Sequence, residues 1–438
     1  MIRNILSISL LFCMATMGRA QSLTLQDCRR MALEYNEELK TAGNAVMKAK
    51  LDRKIAFAQY LPKFDVSGTA VLMKDQDLGP LTLQIRGTYM AGINLTLPIY
   101  AGGQLTSANK LARLNQDVTA EQQRKTRMQV IANVDNAYYA LVSVHSKVQM
   151  LEAYARQMQG LYDQVSVSVS AQLATTNDLL RVSTKQNEVS YQLQKARNGE
   201  QLCRLALANV IGMDDANFTI DSLDMVNTLN SQRFGVGVPL DEDISQRPEL
   251  HLLQQQVRAG ELQVKQTRSN YLPTVALIGH YSYYNRLKLK GNLPLDDGSY
   301  INLNETFHGF TPMAMLTVKV PVFHWGAEVR KVKKAKITLE DYKLQLQEYE
   351  RGMRIEVRQA VLNLTDGQRM LQTATIGQQQ ADENLRVMRQ RFDNQLCTMT
   401  DMLDAESQWQ QARSNFIEAQ TQQKINETEY LRVTGRLE

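Results

Sequence analysis

Two periods alternate along this chain. Over residues 64–72, Phe64, Val66, Ala70 and Leu72 alternate with Asp65, Ser67 and Thr69. Over 88–97, Tyr89, Ala91, Ile93, Leu95 and Leu97 alternate with Thr88, Asn94 and Thr96. A period of two is that of an extended strand whose side chains point in turn to opposite faces. Val275, Leu277, Tyr281 and Tyr283, then Leu316, Val318 and Val320, write the same pattern later in the chain. Each strand therefore has one apolar and one polar face. Such a sheet suits lipid outside and water inside, and it equally suits an ordinary half-buried sheet. Tyr281, Tyr283, Tyr284 and Tyr300 are candidates for an aromatic girdle, although tyrosine also favours strands in general.

The other period is helical. From Val130, steps of four and three reach Val134, Ala137, Leu141, Val144, Val148, Leu151, Ala155, Met158, Tyr162 and Val165, all apolar. Leu179, Val182, Gln186, Val189, Leu193 and Ala196 form a paired seam, and Met402, Ala405, Trp409, Ala412, Phe416 and Ala419 form another. Between the seams stand Gln, Asn, Lys, Arg and Glu, which is too polar for helices buried on every side. A continuous helix from about Gly103 to Gln172 would measure roughly 100 Å at 1.5 Å per residue. A compact domain has no need of that span.

The chain reads as one motif written twice. Tyr60-Leu61-Pro62 reappears as Tyr271-Leu272-Pro273, and Leu39 as Leu250, at an offset of 211. Beyond the next loop the offset is 223: Leu97-Pro98-Ile99-Tyr100 becomes Val320-Pro321-Val322-Phe323, and Gly103 becomes Gly326. That offset persists through Gln172/Gln395, Asp178/Asp401, Leu180/Leu403 and Gly212/Gly435. The twelve extra residues fall between the matched blocks of the second copy, and insertions map to loops. The organisation expected is therefore a first copy at 21–212, with a β-hairpin at about 63–98 and a helical-hairpin tip at about 172–178. A connector follows at 213–240, then a second copy at 241–438 with a hairpin at about 274–322 and a tip at about 395–404.

The first twenty residues look like an export signal. Arg3 precedes an apolar stretch from Ile5 to Met17, too short to span a bilayer, and Gly18-Arg19-Ala20 suits cleavage before Gln21. The residues before Cys13 lack the small side chains of a lipid-attachment signal. No later stretch reaches eighteen consecutive apolar residues, so no transmembrane helix is expected. An exported chain of this kind is periplasmic, secreted or an outer-membrane barrel.

Composition narrows the chemistry. Apolar residues make up 43% and charged residues 22% of the chain, enough to bury a core. Lys and Arg outnumber Asp and Glu only 50 to 45, and the leader would take Arg3 and Arg19 with it. That balance does not call for nucleic acid. The run Lys331, Lys333, Lys334, Lys336 reads as a solvated helix face. Cys28, Cys203 and Cys397 form neither a disulfide framework nor a metal-ligand spacing. His145, His251, His280, His308 and His324 are scattered, and no P-loop or nucleophile elbow is present. The reading is of a non-enzyme with no cofactor and no metal.

Four strands cannot close a barrel, and an open sheet edge cannot sit in lipid. Two chains would supply about eight strands, whose interior side chains nearly fill, whereas three would supply about twelve and leave a water-filled lumen. Cyclic symmetry closes such an assembly.

Together these features resemble the TolC family of outer-membrane efflux proteins. The resemblance rests on the repeat, Arg247-Pro248-Glu249-Leu250, the two Tyr-Leu-Pro segments, Pro98 with Gly102-Gly103, Pro321 with Gly326, and Asp401-Met402-Leu403-Asp404-Ala405. Asn36-Glu37-Glu38-Leu39 departs from it by lacking the proline often found there. It implies a mainly α protein with a β part: four strands per protomer completing a 12-stranded barrel in a homotrimer, continued by a coiled-coil tunnel across the periplasm. It further implies contact with outer-membrane lipid, a periplasmic adaptor and an inner-membrane pump of the RND or ABC type. At the periplasmic tip, acidic residues are expected in rings that close the tunnel. Asp401 and Asp404 match that pattern in the second copy and Asp178 in the first, while Arg181 stands where the second copy has Asp404. Cys397 occupies the place of a basic lock residue, so that lock is expected to be absent or rebuilt with Arg181. Asp178 after Thr175-Thr176-Asn177 and Asp401 after Thr398-Met399-Thr400 also suit helix capping, which does not exclude a ring role. The function implied is passive conduction of drugs, detergents and toxic compounds. A type I protein-secretion channel and a non-pore coiled-coil scaffold are the alternatives.

Overall fold

The computed structural model describes residues 21–71, 73–84, 88–220, 222–231, 234, 241–296 and 298–438. The export signal, the strand position Leu72 and residues 235–240 of the connector lie outside them. In chain order the elements are β1 (Gln21–Leu23), α1 (Leu25–Tyr35), α2 (Glu37–Ala58), β2 (Lys63–Val71), β3 (Gln76–Leu78), β4 (Leu81–Gln84), β5 (Thr88–Ala101), α3 (Gln104–Ser170) and α4 (Thr176–Ile211). They continue with β6 (Phe218–Ile220), α5 (Ser222–Asn230), α6 (Pro248–Ser269), β7 (Thr274–Pro294), β8 (Tyr300–Lys319), α7 (Ala327–Asp393) and α8 (Met399–Val433). The chain divides into two compact units. One comprises Met1–Asn44, Glu121–His251 and Gln347–Glu438, the other Ala45–Ala120 and Leu252–Leu346.

The second of these units holds the sheet. β2 pairs with β5, β5 with β7 and β7 with β8, all antiparallel. The register sets side chains in rows. Phe64, Leu95, Gly279 and Ala314 form one row, Val66, Ile93, Tyr281 and Pro312 the next, and Gly68, Ala91, Tyr283 and Phe310 a third. On the opposite face lie Asp65, Asn94, His280 and Met313, then Ser67, Gly92, Ser282 and Thr311. Hydrogen bonds cross this polar face: His280 Nδ1 donates to Asn94 Oδ1 at 2.6 Å, and Asn94 Nδ2 donates to Ser67 Oγ at 2.9 Å. The apolar face is open, with Val66 83% and Phe310 62% exposed.

Two expectations change here. The extra residues of the second copy are not a loop. They lengthen β7 and β8, whose pairing runs on through Pro294↔Tyr300, because the inserted residues satisfy one another's backbone groups. The four tyrosines do not share a face either. Tyr281 and Tyr283 pack on Phe310 at 5.4 and 5.0 Å on the apolar side, whereas Tyr284 belongs to the polar side.

The first unit is helical apart from a short parallel pair, β1 with β6. Its core joins Leu23, Leu25, Cys28 and Ala32 to Tyr138, Leu141, Leu207, Ile211 and Phe218. The connector is thus partly structured: β6 and α5 lie within it, and Phe218 and Met225 are buried. A buried ion pair crosses the same region. Arg29 grips Asp135 at 2.6 and 2.5 Å, and Thr428 Oγ1 donates to Asp135 at 2.8 Å.

Matched positions of the two copies take matched conformations. α3 and α7 each run 67 residues. Gln172 and Gln395, which follow them, both have positive φ, 63° and 59°. Gly212 and Gly435 sit at 75° and 76°, and a side chain at Gly435 would collide with the Gln246 carbonyl.

Candidate functional site

At the end of the first helical hairpin the chain leaves α3, turns at Gln172 and enters α4. Thr175 caps α4. Its backbone N–H and hydroxyl donate to Asp178 Oδ2 at 3.1 and 2.6 Å, and the Asp178 N–H donates back to the Thr175 hydroxyl at 3.2 Å. The second hairpin builds the same device. Thr398 donates to Asp401 Oδ2 at 2.9 and 2.7 Å, and the Asp401 N–H returns to the hydroxyl at 3.2 Å. These reciprocal bonds satisfy N–H groups that the first helical turn leaves open. They also hold the Asp401 carboxyl below its ordinary range, because the Thr398 hydroxyl and N–H favour the ionised form. Asp178 and Asp401, two of the three aspartates predicted for the tip, are therefore engaged locally, each in its own cap.

Arg181 and Asp404 differ from these. Arg181 Nη1 donates to the Thr400 hydroxyl and so ties α4 to α8. Asp404 is exposed and makes no side-chain hydrogen bond or ion pair among the described residues. Cys397 rests with its Sγ near the Met388 carbonyl, and burial, then the Asp401 charge, pushes its thiol up. It is no basic lock.

Above the turns the four helices share apolar contacts. Tyr154, Met158, Val165, Val182, Val189 and Met399 are buried together, with Phe392 and Trp409 against them. Most of these are the heptad positions expected from the pattern. The sequence did not disclose the polar links between hairpins. Arg389 Nη2 donates to Glu406 Oε1 at 2.8 Å and to Gln157 Oε1 at 2.7 Å, joining α7, α8 and α3. Gln410 donates to Gln192 at 2.5 Å and Gln164 donates to Asp393 at 3.4 Å, while within the second hairpin Trp409 Nε1 donates to Asp382 at 2.6 Å. Glu406 is only 1% exposed, and burial pushes its carboxyl up against the opposing pull of Arg389. Its one sequence signal is a place beside the Ala405 seam, which marks a helix face and no partner.

Among the described residues no group of three His, Cys, Asp or Glu side chains could hold a metal ion, and no helix is long and apolar enough to cross a membrane. Lys331, Lys333, Lys334 and Lys336 are all exposed, as a solvated face requires.

An amphipathic sheet with an open apolar face is thus joined in one chain to long helical hairpins, a mixed α and β architecture. The chain belongs to the outer membrane efflux protein family, whose sequence profile matches residues 29–213 and 240–436. It is similar to the proteases secretion protein PrtF of Dickeya chrysanthemi, 21% identical over 421 residues that cover 92% of this chain and 86% of that one. It is also similar to the cation efflux system protein CusC of Escherichia coli strain K12, 19% identical over 299 residues, 67% of this chain and 61% of that one. Among solved structures, CusC superposes with a TM-score of 0.76 at 16% identity, covering 96% and 95% of the two chains. The open-state MtrE channel of Neisseria gonorrhoeae gives 0.75 at 17%, covering 94% and 89%. As a member of this family the protein is an outer-membrane efflux protein that extends into the periplasm, a passive conduit and not an enzyme.

Proposed function

We propose that three copies of this chain pool their sheets into one 12-stranded barrel continued by a helical tunnel, and that the tip residues gate it. The observation that carries this reading is the open sheet. Among the described residues β2 pairs only with β5 and β8 only with β7, so both edges carry unpaired backbone groups beside a lipid-suited face. Such edges need strand partners, and further copies of the same chain supply them. The helices carry a matching demand. Met47, Leu51 and Ile55 stand one turn apart along α2 and are all more than half exposed, a stripe suited to a neighbouring protomer.

At the periplasmic end, Asp178, Asp401 and Asp404 would appear three times around the axis, repelling one another and favouring cations. Arg181 on Thr400 would hold the hairpins together in the closed form. An adaptor that binds the open tip more tightly would shift the population toward opening. The energy comes from an inner-membrane pump of the RND or ABC type, and the cargo is a small toxic compound. The likeness to CusC adds cations to the candidate cargoes. The likeness to PrtF supports a second reading, export of proteins through the same duct.

The test is single-channel conductance in a planar bilayer. Asp401→Asn together with Asp404→Asn keeps a capping acceptor while removing charge. It is expected to raise conductance and to abolish cation block. A double variant with conductance and cation block unchanged would count against the tip assignment. Crosslinking from the tip in cells, with identification of the trapped adaptor, separates small-molecule efflux from protein export.

A further inference from the structure

The β7–β8 hairpin changes character part-way along. From Thr274 to Tyr284 it has the length a tilted strand needs to cross the hydrocarbon, about 9–11 residues, and Val275, Leu277, Tyr281 and Tyr283 share the open face of the sheet with Phe310, Leu316 and Val318, while Ile278, Met313 and Met315 lie on the other. The register then shifts. Tyr284 pairs with Gly309 and Leu287 with Phe307, so β7 spends one residue more than β8, and Arg286 takes a positive φ of 64°. A bulge of this kind reverses the side-chain phase of the strand that carries it. β8 is continuous, so Phe307, Leu303 and Ile301 stay on the face of Gly309, Thr311 and Met313, which is the polar face within the membrane-length part.

Beyond the bulge leucines predominate on that face, which also carries Glu305 and Gln76. Leu289 lies opposite Glu305, and Gly291 opposite Leu303. β4 adds itself to β7 there, with Leu83 opposite Leu289 and Leu81 opposite Gly291, and β3 brings Leu78 opposite Leu81. The other face carries Lys288, Lys290, Asn302, Asn304, Thr82 and Gln84. A four-stranded extension results whose leucines occupy the lumen side and whose lysines and amides occupy the outside. Within one protomer the leucine side is left uncovered: Leu78 is 56% and Ile301 48% exposed.

We infer that these leucine faces from three protomers meet over the barrel axis and form an apolar constriction at the extracellular mouth. The inference rests on the trimeric barrel proposed above. It commits to further copies of this chain as the covering partner, because the face continues the lumen wall and points where only those copies lie. The polar outer surface is the side suited to water and lipid headgroups. An apolar constriction opposes the passage of hydrated ions by dewetting and yields to solutes with apolar surface. The channel would then have a second barrier, of different chemistry, at the end opposite the aspartates.

The experiment is crosslinking of the full-length protein in detergent with a short bismaleimide. Leu303→Cys and Asn304→Cys are compared with the parent chain, which controls for Cys28, Cys203 and Cys397, and the mass in solution is measured in parallel. Leu303→Cys is expected to give covalent dimers that the parent lacks, since one new thiol per protomer lets the two-armed reagent join two chains, and Asn304→Cys, its neighbour on the outer face, to give none. Trimers in solution without a Leu303→Cys crosslink, or with equal crosslinking from Asn304→Cys, overturn the constriction and leave the barrel standing. A monomer in solution overturns both. Leu289→Asn with Leu303→Asn supplies an independent reading: single-channel ion conductance rises if the leucines form the seal, and an unchanged value counts against it.

Discussion

The two units treat the same kind of side chain in opposite ways. In the helical unit Val134, Val182 and Val189 are wholly buried, whereas in the sheet Val66 is 83% and Val318 58% exposed. Heptad positions find their apolar partners within the chain, on neighbouring helices. The rows of the sheet find theirs outside it, in hydrocarbon. The polar groups follow the same division. Asp135 is buried and held by Arg29 and Thr428, while Asn94, His280 and Ser67 line a face that suits water. The buried heptad positions are thus covered by the chain itself, whereas the apolar rows of the sheet are left for a partner outside it.

The sharpest way to break this comparison lies in the helical unit. Asp135→Ala leaves Arg29 buried without its counter-charge, and removal of one partner of such a pair costs about 3–5 kcal/mol. Thermal melts followed by circular dichroism in detergent should show the loss directly. In the sheet the two faces should respond unequally. Ile93→Lys places a charge in the middle of the apolar rows and should cost about 2–4 kcal/mol of folding into vesicles, whereas Thr311→Lys on the polar face should cost far less. Equal losses in urea titrations of vesicle-folded protein would remove the assignment of faces.

The smallest effect concerns Glu406, and its sign depends on pH. Its carboxyl is raised by burial, so ionisation opposes the fold. Below the ordinary glutamate range the group is protonated in both folded and unfolded chains, and Glu406→Gln should change little. As pH rises past that range the unfolded chain loses its proton more readily than the folded one, and the native protein loses stability relative to the variant. The variant should therefore match the parent in acid and melt slightly higher at neutral pH. A variant less stable than the parent at neutral pH would mean that the Arg389 bond outweighs burial.

Much of this was legible in advance because it depends on short-range periodicity. The heptads from Val130 to Val165 led to α3, the alternation at 88–97 to β5, and the offset of 223 anticipated that Gln172 and Gln395 would turn alike. Capping was legible at Asp178 and Asp401, but the N-caps are Thr175 and Thr398, with each aspartate closing the box from the third helical position. The insertion in the second copy misled, because length alone does not distinguish a loop from two strands that pair with each other. The tyrosines misled for a related reason: Tyr283 and Tyr284 are neighbours in sequence and therefore lie on opposite faces.

The chain by itself determined its elements, its duplication and which side of each element is apolar, because those properties depend on residues a few positions apart. The tertiary structure alone decided that Arg389 joins Glu406 and Gln157, that Arg29 closes on Asp135, and that a bulge at Arg286 reverses the side-chain phase of β7 against an unbroken β8. Each of these depends on the register between segments distant in sequence. Register is set by the sum of many pairings at once, and no single stretch of residues records it.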